Sequence, residues 1–282
     1  MAKIAALQLI AWNESADKPA RRDLLHLLSD LQLPVRLGPM SSAPPFHPYG
    51  PPHLTVIFLT IALPFAFAAL VRWTACPPVC GKSPVTERII VGALSFILVL
   101  NYFVYLSLVG QFGAVSWKQV LPMQLCDWAM VVIIIAMWTR RPRWFEVAYF
   151  WGIGGTVQAV LTPNLPYGFP DFRFFSFFIS HCGIIIGVVF LMLTHHLRPH
   201  AFSIVRVFLW TELYFVITLA TDSFTGFNYG FLLHKPEAKT LLNTLSDYRP
   251  LYLFEMHLLA LAFFIVLYVP FAIYDFIRRR FL

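Results

Sequence analysis

The chain has 282 residues, of which 59% are hydrophobic and only 12% charged, and its formal net charge is +7. A water-soluble domain of this length needs a far more charged surface, so the composition excludes an ordinary globular enzyme and suits a surface that faces lipid. The positive balance does not point to nucleic acid, because the basic residues lie between or beyond the apolar segments, where they act as topology signals.

Residues 1–45 form a polar, Pro-containing tail with Asn13, Glu14, Asp17, Lys18, Arg21, Arg22 and Asp23, followed by Pro34, Pro44 and Pro45. The tail does not look like a secretory signal, which would have basic residues followed by an apolar stretch and a small-residue cleavage site, whereas 24–33 is interrupted by His26, Ser29 and Asp30. At most it forms a short amphipathic helix, and Met40 offers an alternative start of translation. The membrane domain is then 46–282.

Seven apolar spans follow, at 53–72, 88–112, 119–138, 144–162, 174–194, 202–228 and 251–275. Each approaches the length needed to cross a hydrocarbon core of roughly 30 Å. None alternates as barrel strands do. Breakers such as Pro84, Gly113, Pro142, Pro163, Pro199 and Pro250 separate them. No internal repeat supports an inverted-repeat transporter. The expected fold is therefore an all-α integral membrane bundle of seven transmembrane helices.

Basic residues set its orientation. Arg72, Lys82, Arg88, Arg140, Arg141, Arg143, Arg198, Arg206 and Arg278 to Arg280 fall on one side, against Lys118, Arg173, Lys235, Lys239 and Arg249 on the other. The bias favours an outer N-terminus and an inner C-terminus.

Ionisable groups are costly in hydrocarbon and normally mark a bundle interior or a cavity. Here His53, Gln124, Cys126, Asp127, Gln158, Asn164, His181, Asp222, Asn228, Glu255 and His257 fall at similar depth in the outer half, which predicts a single polar pocket. In the sixth span Thr211, Tyr214, Thr218, Thr221, Thr225 and Asn228 are expected to share one helical face, a pattern that small polar residues also provide as interhelical glue. Asp222 beside that stripe requires a partner, with His181 or His257 as candidates.

A cysteine nucleophile needs a base or cation that favours thiolate, and imidazole is the usual supplier. Cys126 and His181 offer that pair across two helices; the alternative is a cysteine that only fills space as a small hydrophobe. Cys76 and Cys80 share a loop with no further ligand at suitable spacing, so they imply no zinc site. His195, His196 and His200, beside Arg198, belong in the headgroup region. No phosphate loop, dinucleotide fingerprint or zinc-protease helix occurs, and the sequence calls for no cofactor. A metal-dependent lipid hydrolase built on His53, His181, His257 and Asp222 is a second reading, and a solute-binding transporter or receptor a third.

The segment Leu121-Pro-Met-Gln-Leu-Cys-Asp127 resembles the bacterial YwaF-like integral membrane family, related to transmembrane protein 164 of animals. Phe46 to His53, Phe178-Ile-Ser-His181 and Asn228-Tyr-Gly-Phe-Leu232 followed by Lys235-Pro236 agree, over about 46–275. The resemblance implies an acyltransferase that remodels membrane phospholipids or lysophospholipids, with Cys126 carrying the acyl group and His181 assisting. It also implies residence in a bacterial cytoplasmic membrane. The family often has a histidine two residues before the cysteine, where this chain has Gln124. Glutamine hydrogen-bonds but cannot act as a base, which moves the proton-handling role to His181. His53, Gln124, Asp127, Asp222, Asn228 and His257 are then expected around the substrate. Gln124 and Asn228 would donate to an oxyanion, His53 or His257 would assist, and Asp127 or Asp222 would orient an imidazole.

Overall fold

A computed structural model describes residues 44–74, 84–111, 118, 120–236 and 240–281. Nearly all of the expected tail 1–45, with Met40, and the Cys76 and Cys80 loop lie outside the described residues. Among the described residues the chain is helical, with one isolated β-bridge between Pro45 and Tyr167. The helices are α1 (Pro51–Thr74), α2 (Val85–Gln111), α3 (Leu125–Thr139), α4 (142–161), α5 (Phe172–His195), α6 (Ala201–Thr225) and α7 (Arg249–Phe281). Five of them, α1, α2, α5, α6 and α7, are long and apolar enough to cross a membrane. Large apolar side chains such as Phe58, Phe96, Phe103, Leu209 and Val266 point outward. With no polar coat over those faces, the surface suits lipid and the protein is an integral membrane protein.

The two remaining helices differ from the expected spans. The third was expected from residue 119, yet α3 begins only at Leu125 and has 15 residues, about 22 Å at 1.5 Å per residue. Pro122 interrupts the preceding segment, and Gln124 stands as N-cap in an extended conformation. At the other end Arg140 adopts the left-handed conformation and its N–H closes onto the Ala136 carbonyl. The fourth helix is a composite. Pro142–Trp151 passes through a π-helical turn, Gly152–Thr156, into Val157–Leu161. Three glycines in that turn lower the steric barrier to a wider helical ring.

The helix at the centre is α5: half of its most apolar window is buried, against 22% or less in the other four long helices. It packs on α1, α2, α3 and α4, while α6 and α7 pack on each other and border α4. Gly183 and Gly187 permit close approaches to α2 and α3. A Cβ at Gly183 would stand 2.7 Å from Leu98 of α2, and one at Gly187 would stand 2.9 Å from Ile133 of α3. Small residues four apart are the usual means of bringing membrane helices together. Phe145, Phe150, Trp151, Phe190, Ile133 and Met137 fill the core around this contact.

The ends of the bundle carry different polar networks. At one end Glu87, buried, meets Arg140 at 2.9 Å and His195 at 2.6 Å, Arg206 forks Glu146 at 2.7 and 2.9 Å, and Arg198 pairs with Asp275. At the opposite end residues 44–46 run against the α4–α5 connection, with Phe46 N–H donating to the Pro166 carbonyl and Gly168 N–H to that of Pro44. A Cβ at Gly168 would lie 2.6 Å from the Pro45 carbonyl oxygen, so this crossing needs glycine.

Candidate functional site

The first turn of α3 places Cys126 two residues past the N-cap. The Gln124 N–H donates to the Asp127 carboxylate at 3.1 Å, the reciprocal half of a capping box that fixes where the helix starts. The backbone N–H groups of Leu125 and Cys126 have no helical carbonyl ahead of them, as first-turn amides do not. The cysteine side chain therefore sits at the positive end of the helix dipole.

Beside it opens a cavity of about 430 Å³ between α2, the α3 start, the 164–167 loop and α5. Gln124, Cys126, Asp127, Asn164 and His181 all line it. His181 is held by its own helix, with Nδ1 at 2.7 Å from the Phe177 carbonyl and the ring stacked on Phe177 at 4.3 Å. A carbonyl only accepts, so Nδ1 carries the proton and Nε2 keeps its lone pair. No hydrogen bond joins Cys126 to His181 among the described residues.

Gln124 is oriented from across the cavity. Its Oε1 accepts from the Gly230 N–H at 3.3 Å, which leaves the amide NH₂ as a donor. Gly230 lies in a 3-10 turn, Tyr229–Phe231, with φ +59°, and a Cβ there would lie 2.9 Å from the Tyr214 hydroxyl. That hydroxyl in turn donates to the Met123 carbonyl at 3.0 Å. The turn is held by two of the residues expected to touch substrate. Asp222, fully buried, accepts from the Tyr229 N–H at 2.8 Å. Asn228 Oδ1 accepts from the Leu233 and His234 N–H groups, while its Nδ2 donates to the His234 carbonyl and ring. Tyr229 itself lines the cavity, and its hydroxyl donates to the Lys118 carbonyl. Asp222 and Asn228 thus shape the wall from behind. Asp222 faces the interior as expected, but its partner is a backbone amide rather than His181 or His257.

The two other histidines are elsewhere. His53 at the start of α1 accepts from the Tyr49 N–H on Nδ1 and donates from Nε2 to the Val160 carbonyl at 2.7 Å, which fastens α1 to the end of α4. Both nitrogens are used. His257 of α7 stands against α6, with Nδ1 facing the Leu253 carbonyl and Nε2 3.1 Å from Glu212. The single pocket expected from depth is therefore divided. His53, His257, Asp222 and Asn228 do not line the cavity, and among the described residues no three His, Cys, Asp or Glu side chains converge as a metal-ligand cluster. The ligand set weighed for a metal-dependent hydrolase is dispersed over separate helix contacts.

Of the α5 residues that line the cavity, only His181 was assigned to the site from the sequence. Arg173, Ser176, Phe177, Ser180 and His181 lie on one face of α5, at spacings of three and one, and all line the cavity. That spacing was visible in the sequence. Arg173 makes a two-pronged contact with Asp171 at 2.8 Å, and its guanidinium lies 3.1 Å over the Tyr167 ring. The side-chain bond from Arg173 holds the Asp171 carboxyl below the usual carboxylate range. From α2, Asn101 donates to Ser180 Oγ at 2.8 Å and to the Ser176 carbonyl at 3.0 Å. Glu212, the partner of His257, was also missed.

The long apolar helices define a polytopic helical integral membrane protein, with a polar-lined cavity near one end of the bundle. The TMEM164 family model matches residues 48–268, and the chain belongs to the TMEM164 family. An uncharacterized protein of Treponema pallidum (strain Nichols) is 32% identical over 162 residues, which is 55% of this chain and 64% of that protein. The match thus spans less than two thirds of that relative's length. No solved structure matches.

Proposed function

We propose that the protein is a seven-span phospholipid acyltransferase of the bacterial cytoplasmic membrane, working through a thioester on Cys126. One observation carries the reading: Cys126, at a helix N-terminus, and His181, with Nδ1 engaged and Nε2 available, border the same cavity. The lipid-facing exterior supports a membrane lipid as substrate. In this reading α3 and α4 complete the seven spans. The short α3 is tolerated because the irregular 120–124 segment ahead of it borders a cavity and is tied to α6 through the Tyr214 hydroxyl and the Met123 carbonyl. The arginine-rich end faces inward and the cavity end outward.

In the first half-reaction His181 Nε2 takes the thiol proton and the sulfur attacks the ester carbonyl of a phospholipid. The C–S bond forms, the ester C–O bond breaks, and the departing lysophospholipid oxygen takes the proton from His181. In the second, the hydroxyl of a lysophospholipid acceptor gives its proton to Nε2 and attacks the thioester, and the sulfur leaves to be reprotonated. The first-turn amides of α3 and the Gln124 NH₂ group are the donors available to the tetrahedral oxyanion. Asn228 is engaged in its own loop and takes no part.

The test is to incubate purified protein with phospholipid and analyse it by peptide mass spectrometry. A hydroxylamine-labile acyl adduct is expected on Cys126, and transfer to lysophospholipid is lost in Cys126→Ala. His181→Ala is expected to slow transfer by about 10²–10⁴. Full transfer by a well-folded Cys126→Ala protein refutes the mechanism.

A further inference from the structure

A second concave surface lies at the opposite, arginine-rich end of the bundle. It is a groove of about 540 Å³ between α4 and α6, lined by Arg141, Arg143, Trp144, Arg206, Trp210 and Leu213, with Glu146 at its base. Nothing in the Cys126 chemistry uses it.

Charge and apolar surface are arranged in order along this groove. Glu146 is 2% exposed, and both of its oxygens are engaged by Arg206, which is thereby fixed while its side chain remains 43% exposed. Arg141 and Arg143 flank Pro142 at the start of α4, are exposed, and form no ion pair among the described residues. Three guanidiniums facing one carboxylate leave the groove with two uncompensated positive charges, reinforced by the N-terminal end of α4. Next to the charges, the Trp144 and Trp210 rings lie 5.9 Å apart. Tryptophan favours the depth of lipid headgroups. Leu209 and Leu213, one helical turn apart and 63% and 46% exposed, extend the wall toward the bundle middle.

We propose that this groove binds one anionic phospholipid, its phosphate between Arg141, Arg143 and Arg206, its glycerol region against the two tryptophans and an acyl chain along Leu209 and Leu213. Uncharged groove walls would suit any lipid; the two unpaired arginines select a negative headgroup, because guanidinium forks match phosphate oxygens. A soluble phosphate has no use for the tryptophan and leucine wall, which continues directly from the charges.

Native mass spectrometry of the full chain in detergent, titrated with phosphatidylglycerol or phosphatidylcholine, tests the site. Phosphatidylglycerol is expected to bind the wild type in preference to phosphatidylcholine. The double variant Arg141→Gln/Arg143→Gln is expected to bind it about 30-fold more weakly, since a basic group near an anionic surface contributes roughly 1 kcal/mol and about 1.4 kcal/mol is tenfold. Arg278→Gln/Arg279→Gln, which removes equal charge from the end of α7, should leave binding within about twofold of wild type. Should the groove variant fail to fold, wild-type protein photocrosslinked by phosphatidylglycerol with a diazirine-bearing chain gives the answer, with adducts expected on peptides of α4 and α6. Four results overturn the proposal: equal binding of the two lipids, equal loss in the α7 variant, glycerol 3-phosphate binding as tightly as the lipid, or crosslinks confined to other helices. A dimer that dissociates in the groove variant would likewise overturn it by assigning the face to a second copy.

Discussion

Replacing Asp222 separates the two properties that a buried carboxylate brings to the cavity wall. The side chain is fully buried in the last turn of α6, where Gly226 ends the helix with φ +76°, and it holds the Tyr229 N–H at 2.8 Å. Its second oxygen, Oδ2, has no hydrogen-bond partner among the described residues. Asp222→Ala removes the acceptor and leaves a buried amide unpaired, which is expected to cost about 1.5–3 kcal/mol of unfolding free energy. Asp222→Asn keeps an acceptor oxygen of the same shape and replaces only the unpartnered Oδ2, so a loss below about 1 kcal/mol is expected. Titration of both variants with SDS in mixed micelles, followed by tryptophan fluorescence, gives the comparison. Because Asp222 positions Tyr229 rather than touching substrate, Asp222→Asn should retain the hydroxylamine-labile adduct on Cys126. If Asn costs as much as Ala, the hydrogen bond is not what holds the turn, and the negative charge facing Arg249 and His234 is.

Three further substitutions probe the start of α5 and the helix packing. Because Asp171 is held below its usual range in the folded protein, its contribution to stability is complete above its unfolded pKa of about 3.9 and fades as pH falls through the folded value. The stability gap between wild type and Asp171→Asn should therefore be constant from about pH 5 to 7 and shrink in more acid solution, as SDS titrations across pH will read; a gap that widens on acidification contradicts this sign. Gly187→Ala places a Cβ 2.9 Å from Ile133 and 3.2 Å from Met137, so it should destabilise by about 1–3 kcal/mol, whereas Gly92→Ala, with open space around it, should be close to neutral in the same assay.

The length of the apolar runs was enough to fix a helical membrane protein, because insertion depends on hydrophobicity summed along one segment, and α1, α2, α5, α6 and α7 lie where those runs do. The short motifs around Cys126 and His181 were likewise readable, and together with the flanking segments they agreed with the family that the chain belongs to. Depth could also be counted, since each residue advances a helix by about 1.5 Å. Depth alone, however, put His53, His181, Asp222 and His257 in one pocket, and only the tertiary structure separated them. Each residue also turns about 100° around its axis, and which neighbour a side chain meets depends on how seven helices are rotated and which loop crosses them. His53 thus spends both nitrogens on Tyr49 and Val160, His257 meets Glu212, and Asp222 holds a turn whose path no hydropathy pattern encodes. The shortened start of α3 has the same origin: its apolar residues read as one continuous span, but Pro122, Gln124 and the Asp127 carboxylate delay the helix until Leu125. Hydropathy and residue type alone tell which segments leave water and what chemistry they carry. The folded arrangement decided which of those groups face one another, because partner choice is set by rotation and loop path rather than by composition.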